Sequence, residues 1–213
     1  MPRLRQVPRA EAAPAVLPMY DRLFAGRDPV AEPGTATGTP GNWWTVMALS
    51  PEIFQSFVGQ FGLIDSKDRA LPPRFRELGI TRAGFAAGSQ FVFSQHSKAC
   101  RAAGISEAQI ADIPAWASSE RFDAADRAVL AYTDELVLAD GRVQDATFAR
   151  LKAQLVDEAI LELTFIVCSY RLHATMCRAL RLEYDDVPER ITEIPAPAQR
   201  AAAADIMRQI SRE

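Results

Sequence analysis

The stretch that decides the fold is RFRELGITRAGFAAGSQFVFSQHSKACRAAG, residues 74–104, which contains one of the two histidines of the chain. Glycine is unfavourable inside a helix, so Gly88 predicts a break between two helices. Separations of three, four and seven residues return to one face of a helix, so the second helix carries one stripe: Ser89, Val92, Phe93, His96 and Cys100. Glu77 lies on the first helix. A carboxylate and an imidazole on two packed helices can share a proton, which predicts an acid/base site built from Glu77 and His96.

Composition sets the limits around this stretch. The chain has 213 residues, 48% of them hydrophobic, and a formal net charge of −3. It is long enough to bury a full core, and it lacks the basic stripe that nucleic-acid binding requires. No apolar run approaches the length of a membrane span or of a secretory signal. Three scattered cysteines suit a reducing compartment, so we expect a cytoplasmic protein without nucleic-acid or membrane partners.

Helical signals recur on both sides of the central stretch. Ser50, Pro51 and Glu52 form a helix start, and Ser106 with Gln109 resembles a capping box. Long segments that alternate with period two are missing, so the predicted class is all-α. Helices are predicted at about 16–24, 145–155, 157–180 and 196–210. Two more lie on either side of Gly88, one from residue 73 to the Gly88 break and one from there to Gly104. Three others are predicted to begin at residues 51, 106 and 123. The near-continuous apolar character of 157–180 predicts a helix that is buried on most sides.

A heavy apolar cluster ends the Pro- and Gly-rich N-terminal segment. Trp43 and Trp44 follow the loop that runs to Asn42. They are expected to anchor the N-terminal arm to the core or to a neighbouring subunit. The alternative is that the two indole rings form a wall of a substrate pocket, and in an oligomer both statements can hold.

A short pattern, H-x-x-x-C-R-A, occurs twice, at His96–Ala102 and at His173–Ala179. Histidine and cysteine four residues apart face the same way on a helix, so two such pairs could supply four zinc ligands. Short matches between alanine-rich helices arise easily. The favoured interpretation is therefore buried cysteines that act as small core residues, with no metal.

The run LPPRFRELGITRAGFAAGSQFVFSQHSKACRAAGISEAQIADI resembles the core of the carboxymuconolactone decarboxylase and alkylhydroperoxidase D-like family. A looser resemblance extends it to about residues 50–185 and leaves an N-terminal arm, 1–49, and a C-terminal extension helix, 186–213. The resemblance implies a multihelical bundle of the alkylhydroperoxidase D-like type that assembles into trimers or hexamers, with active sites near subunit contacts.

The peroxidase branch of the family uses a glutamate, a C-x-x-C pair and a histidine four residues after the second cysteine. Carried over by position, the glutamate corresponds to Glu77 and the histidine to His96, whereas Ser89 and Val92 stand where the two cysteines would be. Thiol–disulfide chemistry needs an attacking thiolate and a second sulfur, which serine and valine cannot supply. A thiol peroxidase, an antioxidant function of the family, is therefore only a minor alternative.

The decarboxylase branch implies acid/base chemistry, without cofactor or metal, on a small lactone or carboxylated compound such as those of aromatic catabolism. His96 would donate a proton to carbon and Glu77 would orient or recharge it. Ser89 would assist as a hydrogen-bond donor, so that the three form the predicted catalytic set. The predicted substrate-binding residues are Arg82, Trp43, Trp44, Phe93, Tyr170 and His173. Among them, Arg82 would hold a substrate carboxylate.

Each of these residues also has a purely structural interpretation. Glu77 could be half of a buried ion pair with Arg82 or another arginine, and Ser89 could be a helix N-cap. Tyr170 and His173 could be satisfied core residues of the long apolar helix. The second class of function is therefore a catalytically inactive helical oligomer that serves as a binding or scaffold protein.

Overall fold

The structure is a computed structural model that describes residues 1–64, 66, 68–186 and 190–197. Helices and turns account for the regular structure of these residues, which include no strand, so the all-α prediction is confirmed. Among the same residues, no helix combines the length and the apolar character that crossing a membrane demands. The α-helices are α1 Leu17–Phe24, α2 Asn42–Met47, α3 Pro51–Ile64, α4 Pro73–Ala86, α5 Gln90–Ala102, α6 Glu107–Asp112, α7 Ala124–Leu138, α8 Asp145–Lys152 and α9 Asp157–Leu180.

The chain divides into two compact units. One unit comprises residues 1–67, 177–187 and 194–213, and the other comprises residues 68–176 and 188–193. The second unit therefore contains the central stretch 74–104. The predicted division into 1–49, 50–185 and 186–213 stays a prediction.

Local signals in the central stretch produce the helix boundaries that the sequence predicts. Gly88 has a φ of +68°, a left-handed conformation that a side chain disfavours, and it separates α4 from α5. Ser89 then caps α5 because its hydroxyl accepts a hydrogen bond from the backbone N–H of Val92 at 3.2 Å. Ser106 and Gln109 form the predicted capping box at the start of α6.

Two glycines allow the helices that carry the site to approach closely. A Cβ added at Gly84 on α4 would lie 2.7 Å from Cγ1 of Val92 on α5. A Cβ at Gly79 would lie 2.9 Å from Cδ1 of Leu163 on α9. At Gly84 the backbone N of Phe93, at 2.8 Å, could not move aside, whereas at Gly79 the nearest atom is the movable end of the Leu163 side chain. Helix α4 is thus held directly against α5 and α9.

Two predicted helices differ from the observed ones. Helix α8 ends at Lys152 rather than at residue 155, because residues 153–155 form a turn before α9 begins. The predicted helix 196–210 falls, from residue 198 onward, outside the described residues. Helix α9 has the predicted bounds, 157–180. It is less buried than predicted, because its large apolar residues Leu161, Phe165 and Leu172 are exposed.

The first unit has an aromatic core built around the predicted N-terminal anchor. The ring centroids of Trp43 lie 4.7 Å from Trp44, 5.3 Å from Phe57 and 5.6 Å from Phe61. Both tryptophans are buried. Aromatic pairs at such separations contribute more than their buried area alone, so this cluster ties α2 to α3.

A buried carboxylate, Glu183, joins the start of α2 to the segment after α9 in the same unit. Its Oε1 accepts a hydrogen bond from the backbone N–H of Trp43 at 2.7 Å, and its Oε2 accepts one from Gly41 at 2.9 Å. Burial raises the pKa of this carboxyl to about 7, although the two backbone donors act in the opposite direction.

The raised pKa predicts how stability depends on pH. The folded state retains a proton that the unfolded state releases, so Glu183 stabilises the fold below about pH 4.5 and loses this contribution as pH rises through about 7. Buried His173, whose pKa is lowered to about 3, produces a slope of the opposite sign. We therefore expect the difference in free energy of unfolding between wild type and Glu183→Gln to change by about 3 kcal/mol across this range. Urea unfolding at a series of pH values measures it, and parallel curves would contradict the prediction.

Candidate active site

Glu77 and His96 form the hydrogen-bonded pair that the central stretch predicts. Oε2 of Glu77 on α4 lies 2.8 Å from Nδ1 of His96 on α5. Glu77 is buried, whereas the side chain of His96 remains 15% exposed. An ionised carboxylate can only accept, so Nδ1 carries the hydrogen of this bond and Nε2 is the nitrogen left for a reacting group. The pair therefore has the geometry of a carboxylate that orients an imidazole.

His96 and Arg76 together keep the Glu77 carboxyl ionised. Burial alone would raise the pKa of Glu77, but the hydrogen bond and charge of His96, together with Arg76, outweigh burial and lower it. Nε of Arg76 donates to Oε1 of Glu77 at 2.8 Å. Sequence reasoning did not assign this role to Arg76, although its position beside Glu77 was a usable signal.

An aromatic side chain of α9 packs against the imidazole of His96. The centroid of Tyr170 lies 4.6 Å from that of His96, with the ring planes at 83°. His173 stacks parallel to Tyr170 at 5.8 Å, and Phe91 follows at 5.7 Å from His173. Burial lowers the pKa of His173 to about 3, with repulsion from His96 as a smaller cause. Tyr170 and a neutral His173 thus form a buried layer behind His96, and their predicted contact with substrate stays a prediction.

Ser89 and Phe93, two further predicted site residues, have structural contacts. The Ser89 hydroxyl is buried and caps α5, which is the alternative that the sequence left open. Phe93 is buried, with its ring 5.8 Å from that of Phe85. Neither contact involves Glu77 or His96 directly.

Arg82 has a different partner from the one expected. Its Nε and a terminal nitrogen donate to the two carboxylate oxygens of Asp134 on α7, at 2.5 and 3.0 Å. The other terminal nitrogen donates to the backbone carbonyls of Ile113 and Pro114, at 3.2 and 2.9 Å. These bonds fasten α4 to α7, and the carboxylate that pairs with Arg82 is Asp134 rather than Glu77. The predicted binding of a substrate carboxylate by Arg82 stays a prediction.

The cysteines lack the features of a redox pair. All three described cysteines are free, and Cys100 and Cys177 are buried. Burial raises the pKa of Cys100 to about 12, and its Sγ lies 3.2 Å from the hydroxyl of Thr81. Burial likewise raises the pKa of Cys177. Because the thiolate is the reactive form, neither buried thiol is suited to nucleophilic chemistry at neutral pH.

The remaining predicted pocket residues, Trp43 and Trp44, belong to the core of the first unit. In the second unit a cleft of about 440 Å³ runs along α7, α8 and the 3₁₀ turn Ile113–Ser118. Trp116, Arg127 and Arg150 line it, and none of the predicted site residues does. Within the described ranges, no group of three or more histidine, cysteine, aspartate or glutamate residues is placed to bind a metal. The two His-x-x-x-Cys pairs thus do not combine into a four-ligand set there.

Comparison with known proteins gives a family and a fold. Residues 51–135 match the model of the carboxymuconolactone decarboxylase family. A solved structure from Agrobacterium tumefaciens, a protein of unknown function described as a candidate antioxidant defence protein AhpD, is 25% identical with a TM-score of 0.56. The match covers 63% of this chain and 92% of the Agrobacterium chain. None of the curated proteins matches the chain.

Two further structures match almost the whole chain at 16% identity, which supports the fold alone. One is a cysteine-to-alanine variant of the debrominase Bmp8 in complex with 2,3,4-tribromopyrrole, with a TM-score of 0.66 over 97% of this chain and 100% of its own. The other is an uncharacterised peroxidase-related protein with an alkylhydroperoxidase AhpD core from Ralstonia eutropha JMP134. Its TM-score is 0.62 over 93% of this chain and 96% of its own. Residues 51–135 thus belong to the carboxymuconolactone decarboxylase family, and the described helices have the alkylhydroperoxidase D-like fold.

Proposed function

We propose that the protein is a cofactor-free acid/base enzyme that acts on a small lactone or carboxylated compound, in the manner of a carbon–carbon lyase. The observation that carries the proposal is the 2.8 Å hydrogen bond between buried Glu77 and partly exposed His96. A buried carboxylate that stays ionised beside an accessible imidazole is an arrangement suited to proton transfer. The three free cysteines are consistent with the reducing cytoplasm in which we place the protein.

The proposed reaction separates carbon dioxide from the substrate and returns a proton to carbon. When the carbon–carbon bond to the carboxylate breaks, its electron pair remains on the substrate as a carbanion or dienolate. Nε2 of His96 donates a proton to that carbon, and the imidazole regains a proton from solvent. The charge of Glu77 holds Nδ1–H in place and stabilises the imidazolium form that donates.

A catalytically inactive binding protein is the second candidate. It is favoured by the contacts of Ser89, Tyr170 and His173, which are buried in structural roles. On this alternative the Arg76–Glu77–His96 contacts would serve only to fasten α4 to α5.

A substrate screen separates these candidates. Lactones and β-keto acids are incubated with wild type, His96→Ala and Cys100→Ser, and carbon dioxide release and lactone loss are followed. We expect turnover by wild type and Cys100→Ser and none above background by His96→Ala. Turnover that survives His96→Ala would contradict the proposed role, and turnover of peroxide that needs Cys100 would support a thiol peroxidase instead. A complete lack of activity in wild type would favour the binding protein.

A further inference from the structure

One face of α9 exposes apolar side chains along most of its length. Leu161 is 71% exposed, Phe165 is 43% exposed and Leu172 is 49% exposed. Cys168 is exposed between them, and Thr175 continues the same line. We name this line, Leu161–Phe165–Cys168–Leu172–Thr175, the α9 seam. Scattered exposed apolar residues are ordinary on a protein surface, whereas a continuous stripe indicates an interaction site.

The spacing of the seam suits packing against another helix. Successive members are separated by four, three, four and three residues. This alternation is the a/d repeat by which two helices pack side chains between one another. The seam runs over 15 residues, and its 14 steps of 1.5 Å give a length of roughly 21 Å.

The seam is also nearly symmetric about its centre, Cys168. Leu161 and Thr175 each lie seven residues from it, and Phe165 and Leu172 lie three and four residues from it on opposite sides. When two copies of one helix pack antiparallel about a two-fold axis at Cys168, each residue before the axis meets one after it. The same surface then fits itself, as a two-fold interface requires.

Charges along α9 favour the antiparallel direction. The first turn carries Asp157 and Glu158, and the last turn carries Arg178. Antiparallel packing brings the acidic first turn of one copy beside the basic last turn of the other. Parallel packing would place like charges beside one another at both ends, and the helix dipoles would repel as well.

We propose that a second copy of this chain covers the α9 seam, in an antiparallel, two-fold symmetric contact centred on Cys168. The contact removes Leu161, Phe165 and Leu172 from water in both copies, which supplies its driving force. A dimer contains such an axis, and so does a hexamer that pairs two trimers, whereas a lone trimer does not. The inference does not depend on the proposed enzymatic activity.

Sedimentation measurements over a concentration series test the contact. We expect the wild type to self-associate and Leu161→Glu combined with Leu172→Glu to lose that association step, because four charges would be buried in the two-fold seam. Leu138→Glu is the matched control, since Leu138 is 62% exposed at the end of α7 and lies outside the seam. Circular dichroism verifies that each variant is folded. A wild type that is monomeric throughout, or association unaffected by the double variant, would overturn the proposal.

Disulfide formation tests the direction and the centre of the packing. Under a mild oxidant the wild type should form a covalent dimer through Cys168, and Cys168→Ser should not, since cysteines at a two-fold axis are close enough to bond. In the Cys168→Ser background, Leu161→Cys chains should cross-link to Thr175→Cys chains when mixed, and Leu161→Cys chains alone should not. Cross-linking of Leu161→Cys to itself would indicate parallel packing. Failure of Cys168 to cross-link would show that the two-fold axis does not lie at Cys168. Either result would overturn the proposed geometry.

Discussion

Replacing Glu77 with glutamine should lower kcat for the active substrate by about a hundred- to ten-thousandfold, the usual range for a positioned proton-transfer group. Glutamine has nearly the same volume and can still accept a hydrogen bond from Nδ1 of His96. It lacks the negative charge that stabilises the imidazolium form, and it leaves Arg76 without the anion that its Nε now contacts. The loss should therefore appear in kcat more than in KM.

The pH dependence distinguishes this chemical role from a structural one. The pKa of Glu77 is lowered in the folded protein, so wild-type kcat should fall in acid as this carboxyl gains a proton, and Glu77→Gln should lack that acid limb of the profile. Glu135→Gln is a suitable control, because this carboxylate accepts hydrogen bonds from Gln144 and Thr147 and lies outside the site. A Glu77→Gln enzyme with unchanged kcat and an unchanged profile would show that the pair is only a structural contact.

The same substitution should alter stability in acid. The pKa of Glu77 is lowered in the folded state, so its contribution is present above its ordinary value of 4.5 and is lost as pH falls through the lower folded value. Glu77→Gln has no such titration and should lose less stability in that acid range. This window lies below the range in which Glu183 acts, so the two carboxyls can be told apart.

The helices could be predicted because their signals are local. Gly88 and Ser89 break and cap the chain within a few residues, and the capping box at Ser106 needs only Gln109. The helix break at Gly88 places Glu77 and His96 on two adjoining helices, the family resemblance assigns both to one site, and the observed distance agrees. For these features, a short window of sequence contains all of the interacting groups.

The contacts of Arg82 could not be predicted in this way. Five residues on a helix turn the side chain by about 140°, so Arg82 points away from Glu77, whereas adjacent Arg76 reaches it. The actual partner, Asp134, is 52 residues away on α7, and no local pattern marks it. The exposure of α9 was missed for a related reason, since an apolar helix can face a core or a second molecule and composition is the same in both cases.

Replacing Arg82 with methionine should lower the free energy of unfolding by about 3 kcal/mol, because it leaves one member of a largely buried ion pair without its partner. Asp134 would keep only its hydrogen bond from Nε1 of Trp116, at 2.9 Å, and the carbonyls of Ile113 and Pro114 would lose their donor. The midpoint of thermal unfolding should fall by roughly 6–12 °C for a chain of this size.

An exposed arginine with the same chemistry provides the control for Arg82→Met. Arg101 also contacts carboxylates with two nitrogens each, Glu107 and Glu193, but it lies at the surface. Surface ion pairs contribute about 1 kcal/mol or less, so Arg101→Met should have a small effect. Adding Asp134→Asn to Arg82→Met should recover part of the loss, because the unpaired charge is removed.

If Arg82 instead held the substrate carboxylate, Arg82→Met would raise KM while stability changed little. We expect the reverse, a large loss of stability with KM of the folded enzyme unchanged, because all three nitrogens of the Arg82 guanidinium bond Asp134 or the carbonyls of Ile113 and Pro114.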